Sequence, residues 1–265
     1  MEILVCTRFS FRGLSGWQSD FAADPEKLFA RERLEARLLL LRAINLPSLA
    51  AQGHQDFHHY LLTSSDLPDW ALEELNAACL AAYGTADRFS IRAEPWGNAR
   101  RHLRMFMADR YGTAPVAQVV LDDDDGLGAG FMADLAGRLA RIEGEVAAGA
   151  RTLPYFISYP YGLALTFGED GLALYRHSYE FINLGLTMIG TPGDKNIFSI
   201  DHLSAPKRFG VEIVDRKLMF LRCVHGFNDS RVEVTHRWVR EDDWHENPRV
   251  IEAMPFLSGI AAALG

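Results

Sequence analysis

Four consecutive carboxylates, Asp122-Asp123-Asp124-Asp125, stand directly after the apolar run Val116 to Leu121. Adjacent acids repel one another, so a folded chain keeps them only where water or a cation offsets the charge. A strand end would put Asp122 and Asp124 on the same side. Such a pair suits a hard divalent cation, Mg2+ or Mn2+, shared with the oxygens of a diphosphate. A solvated acidic loop that caps the following helix is the alternative. Upstream, Arg100, Arg101 and Arg104 fall within one helical turn, with Arg100 and Arg104 on one face. The guanidinium fork matches phosphate, although an exposed basic helix face has the same spelling. His58 and His59 are neighbours on a strand-like run and point opposite ways, so they make no ligand pair.

The elements around these residues decide between the readings. Ile3 to Thr7 is a short apolar run that ends in polar Thr7-Arg8, as a buried parallel strand does. Ser10 to Asp24, with Gly13 and Gly16, reads as a loop. Apolar residues at three and four spacings predict a helix over Glu26 to Asn45, with a break and a short extra turn at Pro47-Ser48-Leu49. Strands are expected at Phe57 to Thr63, Phe89 to Ile91 and Val116 to Leu121. Helices are expected at Asp69 to Tyr83, closed by Gly84, at Asn98 to Tyr111, closed by Gly112, and at Phe131 to Ala147. Alternating strands and helices imply a parallel sheet with right-handed crossovers, in which ligands bind beyond the carboxyl ends of the strands. The aspartates lie at that end of the fourth strand, and position favours the site over the solvated loop.

After Ala150 the pattern shifts. Leu153 to Ser158, Gly162 to Phe167, Gly171 to Arg176, Phe181 to Ile189, Val211 to Val214 and Lys217 to His225 read as short strands, with a turn at Glu169-Asp170. The second half is richer in antiparallel or mixed structure. No low-complexity linker or internal repeat divides the chain, so residues 1–265 read as a single domain with subregions 1–150 and 151–265.

Three ordered segments carry a resemblance. They are Thr7-Arg8-Phe9-Ser10 at the end of the first strand, Pro47-Ser48-Leu49-Ala50-Ala51-Gln52, and Leu121 followed by the four aspartates. Trp96-Gly97-Asn98 and Arg100-Arg101 precede the last of these. The combination resembles the GT-A glycosyltransferases, and within them the bacterial family named putative rhamnosyltransferase. That resemblance implies a GT-A-like α/β fold, with a mostly parallel central sheet, flanking helices and a mixed C-terminal part. It implies residues 1–150 for the nucleotide-sugar and residues 151–265 for the acceptor, a glycan or other hydroxyl compound. By the same resemblance Thr7 and Arg8 line the base and ribose pocket, with Ser65 or Asp66 near the nucleoside. Asp122 and Asp123 lie along the donor, with Arg100, Arg101 and Arg104 toward its phosphates. Asp122, Asp124 and a late histidine, His225 in Val224-His225-Gly226-Phe227-Asn228-Asp229-Ser230, hold Mn2+ or Mg2+. Asp201 in Ile200-Asp201-His202-Leu203 is the candidate base, with a helix N-cap as its other reading. Tyr155, Tyr159, Tyr161 and Trp96 offer aromatic faces without an assigned role.

The 265 residues carry a net charge of −8, which argues against duplex nucleic acid as a partner. Cys6, Cys79 and Cys223 are few, odd in number and far apart, as reduced core thiols of a cytoplasmic protein are. No secretory signal or membrane-length apolar run is visible, while peripheral contact with a membrane stays open. Two further readings share the acids: a nucleotidyltransferase, poorly served by only two glycines between Arg8 and Gly16, and a cation- or carbohydrate-binding protein without turnover.

Overall fold

A computed structural model describes residues 1–14, 24–168, 171–226 and 238–264. Most of the loop around Gly16, the turn at Glu169-Asp170 and the segment Phe227 to Ser230 lie outside the described residues. The chain runs through β1 (Glu2–Arg8), β2 (Gly13–Leu14), α1 (Pro25–Leu28), α2 (Arg31–Leu40) and α3 (Leu46–Ala50). It continues through β3 (His58–Ser64), α4 (Asp69–Tyr83), β4 (Phe89–Glu94), β5 (Gly97–Asn98), α5 (Ala99–Tyr111), β6 (Val116–Val120), β7 (Gly126–Leu127) and α6 (Phe131–Ala147). The second half holds β8 (Tyr155–Ser158), β9 (Tyr161–Gly168), β10 (Gly171–Ser178), β11 (Thr187–Gly190), α7 (Ala205–Arg208), β12 (Gly210–Ile213), β13 (Phe220–Val224), β14 (Val239–Arg240), α8 (Pro248–Ala253) and α9 (Ile260–Leu264).

The main sheet has the order β12-β8-β11-β6-β1-β3-β4. Strands β6, β1, β3 and β4 are parallel, β11 runs antiparallel to both β6 and β8, and β12 is parallel to β8. The sheet is therefore mostly parallel, with flanking helices and a mixed edge contributed by the second half. After β1 the chain moves outward to β3 and β4, then returns to the other side of β1 as β6. That reversal opens a crevice between the carboxyl ends of β1 and β6, where α/β sheets bind ligands. Arg8 and Asp122 stand on its two sides.

Alternating side chains feed two cores. Ile3, Val5, Leu61 and Val119 pack with Leu34, Leu38, Leu75, Leu135 and Leu139 on one face. On the other, Leu4, Cys6, Tyr60, Leu62 and Val120 meet Leu103 and Met107 of α5 and the buried residues Ile197 and Ala205. A smaller sheet, β14-β10-β9-β13-β7, has its own core with α8 and the residues after α2.

Two local expectations change. The predicted helix Glu26 to Asn45 is divided at Phe29-Ala30, and Leu41–Asn45 form a wide π-type turn that passes directly into α3 without a break. Phe181 to Leu186 is not strand, because Phe181 (φ 56°) and Gly185 (φ 72°) turn the chain left-handed and only Thr187–Gly190 pairs. No helix of the described residues is long and apolar enough to cross a membrane. All three cysteines are buried and unpaired with one another.

Candidate functional site

β6 ends at Val120, and the aspartates that follow form a turn closed by Asp125 N–H donating to the Asp122 carbonyl at 3.2 Å. The strand alternation expected to put Asp122 and Asp124 on one side therefore does not extend through the run. Instead the acids meet partners from several elements, two of them sharing Arg37. Arg37 of α2 donates from Nε to Asp123 Oδ2 at 2.9 Å and from Nη2 to Asp123 Oδ1. Its Nη1 reaches Asp124 Oδ2 at 3.1 Å. Asp122, a quarter exposed, faces Arg8 Nη2 at 3.5 Å. Asp125 accepts from Cys223 N–H at 2.7 Å.

The smaller sheet delivers the histidine. β7 follows the aspartates immediately and pairs antiparallel with β13, Leu221 opposite Gly126. Running that register on carries the chain past Asp125 to His225, whose Nε2 lies 2.8 Å from Asp124 Oδ2. The fit at Gly126 is close, since a Cβ there would lie 3.1 to 3.3 Å from the side chains of Phe256, Ser48 and Ile44.

The electrostatics separate the four acids. Burial pushes the carboxyl of Asp124 up, but Arg37 and His225 outweigh it and hold the group below its ordinary range, so it is ionised. Burial raises Asp125 well above the usual carboxylate range, with Asp124 and Asp122 adding to the rise. Asp123 has no exposed surface and its two oxygens are taken by Arg37. Its expected place along the donor gives way to a buried anchor, since a carboxylate without surface has no face left for a ligand. Among the described residues no three His, Cys, Asp or Glu side chains form a metal cage. Asp124 and His225 nevertheless fit a divalent ion that travels with a diphosphate, which needs only one or two protein ligands.

The remaining predicted residues are distributed around the crevice. Thr7 is fully buried, its Oγ1 2.9 Å from His59 Nε2, so its side chain does not open onto a pocket as expected. Arg8, nearly buried, stacks over Phe198 with Cζ 4.9 Å from the ring centre. Asp66 is exposed and paired with Arg12 at 3.0 Å, beyond the end of β3. Asp201 is exposed and caps the turn His202–Ser204, accepting from Leu203 N–H at 3.2 Å. Arg100, Arg101 and Arg104 converge, together with Lys195, on a cleft of about 570 Å³. No described hydrogen bond or ion pair joins them to the aspartates. Tyr159 is buried against Phe131, and Tyr161 and Trp96 are exposed.

Several residues that organise the site escaped the sequence reading. Arg37 is one. Asn45, the last residue of the wide turn, donates from its side-chain amide to the Asp122 carbonyl at 2.9 Å. Ser48 accepts from Leu127 N–H, while Gln52 bonds the Gly128 carbonyl and accepts from Met132 N–H. The Pro-Ser-Leu-x-x-Gln segment is thus a clamp on the chain that leaves the aspartates. Arginines beside a leucine stripe, with an excess of acids elsewhere, were the available signal.

No curated protein sequence matches the chain. Among solved structures the chain is similar to that titled "Crystal structure of S. aureus TarS", with TM-score 0.42 and 11% identity over 84% of this chain and 37% of that one. The structure titled "Crystal structure of S. aureus TarS 1-349" gives TM-score 0.41 and 11% identity over 84% of this chain and 60% of the other. The chain spans less than two thirds of either. The family described as "Putative rhamnosyl transferase" matches residues 2–237, nearly the whole sequence and every residue of the crevice, and the chain belongs to that family of glycosyltransferases.

Proposed function

We propose that the protein moves a sugar, rhamnose by the family's description, from a nucleotide-diphosphate sugar to an acceptor hydroxyl, with Mn2+ or Mg2+ required. The contact between Asp124 and His225 carries this reading. Two residues 101 positions apart meet at 2.8 Å beyond the carboxyl edge of the sheet, one an ionised carboxylate and the other an imidazole. The ion, when bound, would neutralise charge on the leaving diphosphate. Asp124 and His225 would hold it, with Asp122 turned toward the same crevice. Arg37 fixes the Asp124 carboxylate and Asn45 fixes the backbone at Asp122, so the acids need no reorganisation when a ligand arrives. Arg8, at the end of β1, supplies a cation on the opposite wall. Two subregions, residues 1–150 for the donor and 151–265 for the acceptor, complete the reading.

A thermal-shift screen of nucleoside diphosphates, with and without manganese, tests it. Binding to the folded state raises Tm by mass action, so one nucleotide should stand out and should depend on manganese. Asp124→Asn should remove the manganese-dependent part. A shift of equal size in that variant contradicts the assignment.

A further inference from the structure

The arginines of α5 face a cleft of their own. Arg100, Arg101 and Arg104 form one wall, and the segment Gly193 to Asn196 with Ser199 forms the other. Lys195 adds a fourth cation from this second wall. None of the four has an ion-pair partner among the described residues. Among the described residues the one acid in the lining, Asp194, is engaged in its own turn, accepting from Thr191 Oγ1 at 2.7 Å and Thr191 N–H at 3.3 Å. Four cations against one carboxylate leave the lining with an excess of positive charge, and an anion relieves the repulsion among them. In a chain of net charge −8 this concentration of positive charge is local.

The walls are held rigidly. Asn196, buried, donates to the Arg100 carbonyl at 2.7 Å and accepts from Ser199 Oγ at 2.9 Å. Ile197 N–H reaches Gln118 Oε1 of β6 at 2.9 Å, which ties the loop to the sheet. The next residue, Phe198, packs against Arg8 of the crevice. The cleft therefore neighbours the aspartates across Phe198 and Arg8 but shares no described side-chain contact with them.

We propose that this cleft is a second anion site, which takes a phosphate group carried by the acceptor. Calling that ligand the acceptor rests on the donor reading above; the anion site itself does not. The phosphate has two sources, a soluble acceptor or a lipid headgroup, with the same recognition chemistry.

Calorimetric titration of the full chain with inorganic pyrophosphate in EDTA isolates this site from any metal-dependent donor binding. Pyrophosphate should bind, more weakly as salt rises. Arg101→Gln/Lys195→Gln, both on exposed side chains, should weaken it roughly tenfold or more. Asp124→Asn should leave it unchanged, and Asp122→Asn, partly exposed, replaces it if the buried variant does not fold. Absence of pyrophosphate binding, equal binding by the arginine–lysine variant, or loss in a folded aspartate variant overturns the proposal. Sedimentation with phosphatidylglycerol but not phosphatidylcholine vesicles, lost in the arginine–lysine variant, supports a lipid source. Pyrophosphate binding without vesicle association supports a soluble one. Loss of donor binding in Asp124→Asn with intact pyrophosphate binding separates failure of one site from failure of the other.

Discussion

Arg37 and Asp123, 86 residues apart, are joined fork to fork with both side chains buried, Nε lying 2.9 Å from Oδ2. The pair fixes the acidic turn to α2, and because the same guanidinium reaches Asp124 it also sets that carboxylate's charge and direction. Removing one partner of a buried pair strands the other in a low-dielectric setting. Arg37→Met is expected to cost roughly 3–5 kcal/mol of stability by that mechanism. Arg37→Lys, which has no planar fork, should recover only part of the loss. Urea unfolding of the two variants measures this, and wild-type stability in Arg37→Met would count against the anchoring role.

The dependence on pH follows from buried imidazoles. Burial, with a smaller push from His58, lowers the pKa of His59 to about 3, and burial lowers those of His58 and His177 to about 4. In the unfolded chain these groups take a proton near pH 6.5, which the folded chain refuses. For these histidines the unfolded state then binds more protons, so their contribution to stability falls as pH drops through 6.5 and goes on falling toward the folded values, while Asp123 and Asp125, whose carboxyls burial raises, act in the opposite sense. For fully buried His59 the slope is roughly 1.4 kcal/mol per pH unit. Relative to wild type, His59→Gln should lose less stability, read as the urea midpoint, between pH 7.5 and pH 5. An unchanged slope in that variant refutes this account of His59.

Asp201 occupies a position that serves as a cap and as a base candidate at once. Asparagine caps a helix as well as aspartate does but takes no proton at neutral pH, so Asp201→Asn isolates the second role. With Asp201 as the base, kcat for sugar transfer should fall about a hundredfold or more while Tm holds. An unchanged kcat leaves Asp201 with the cap alone.

The sequence carried the scaffold better than the chemistry. α4 and α6 were legible to the residue because their apolar stripes end at strong signals, such as Gly84 with φ 71°. The crevice was legible from element order, since strand ends in a parallel sheet face one way. The fate of each aspartate was not, because it depends on Arg37, His225 and Cys223, which are distant in sequence and are brought in by a helix and by the β7–β13 register. The same holds for Thr7, whose hydroxyl is claimed by a histidine 52 residues away. Periodicity reports which face is buried, and it says nothing about which polar group will be waiting there.

In the proposed function Asp124 and His225 hold a divalent ion against a diphosphate. Electron paramagnetic resonance of Mn2+ added with the nucleoside diphosphate chosen by the thermal-shift screen addresses it most directly. The free-ion signal should diminish when wild-type protein and nucleotide are both present. Asp124→Asn should restore it fully, and His225→Gln should restore it in large part. If both variants bind manganese and nucleotide as the wild type does, the ion is held elsewhere and the account is wrong.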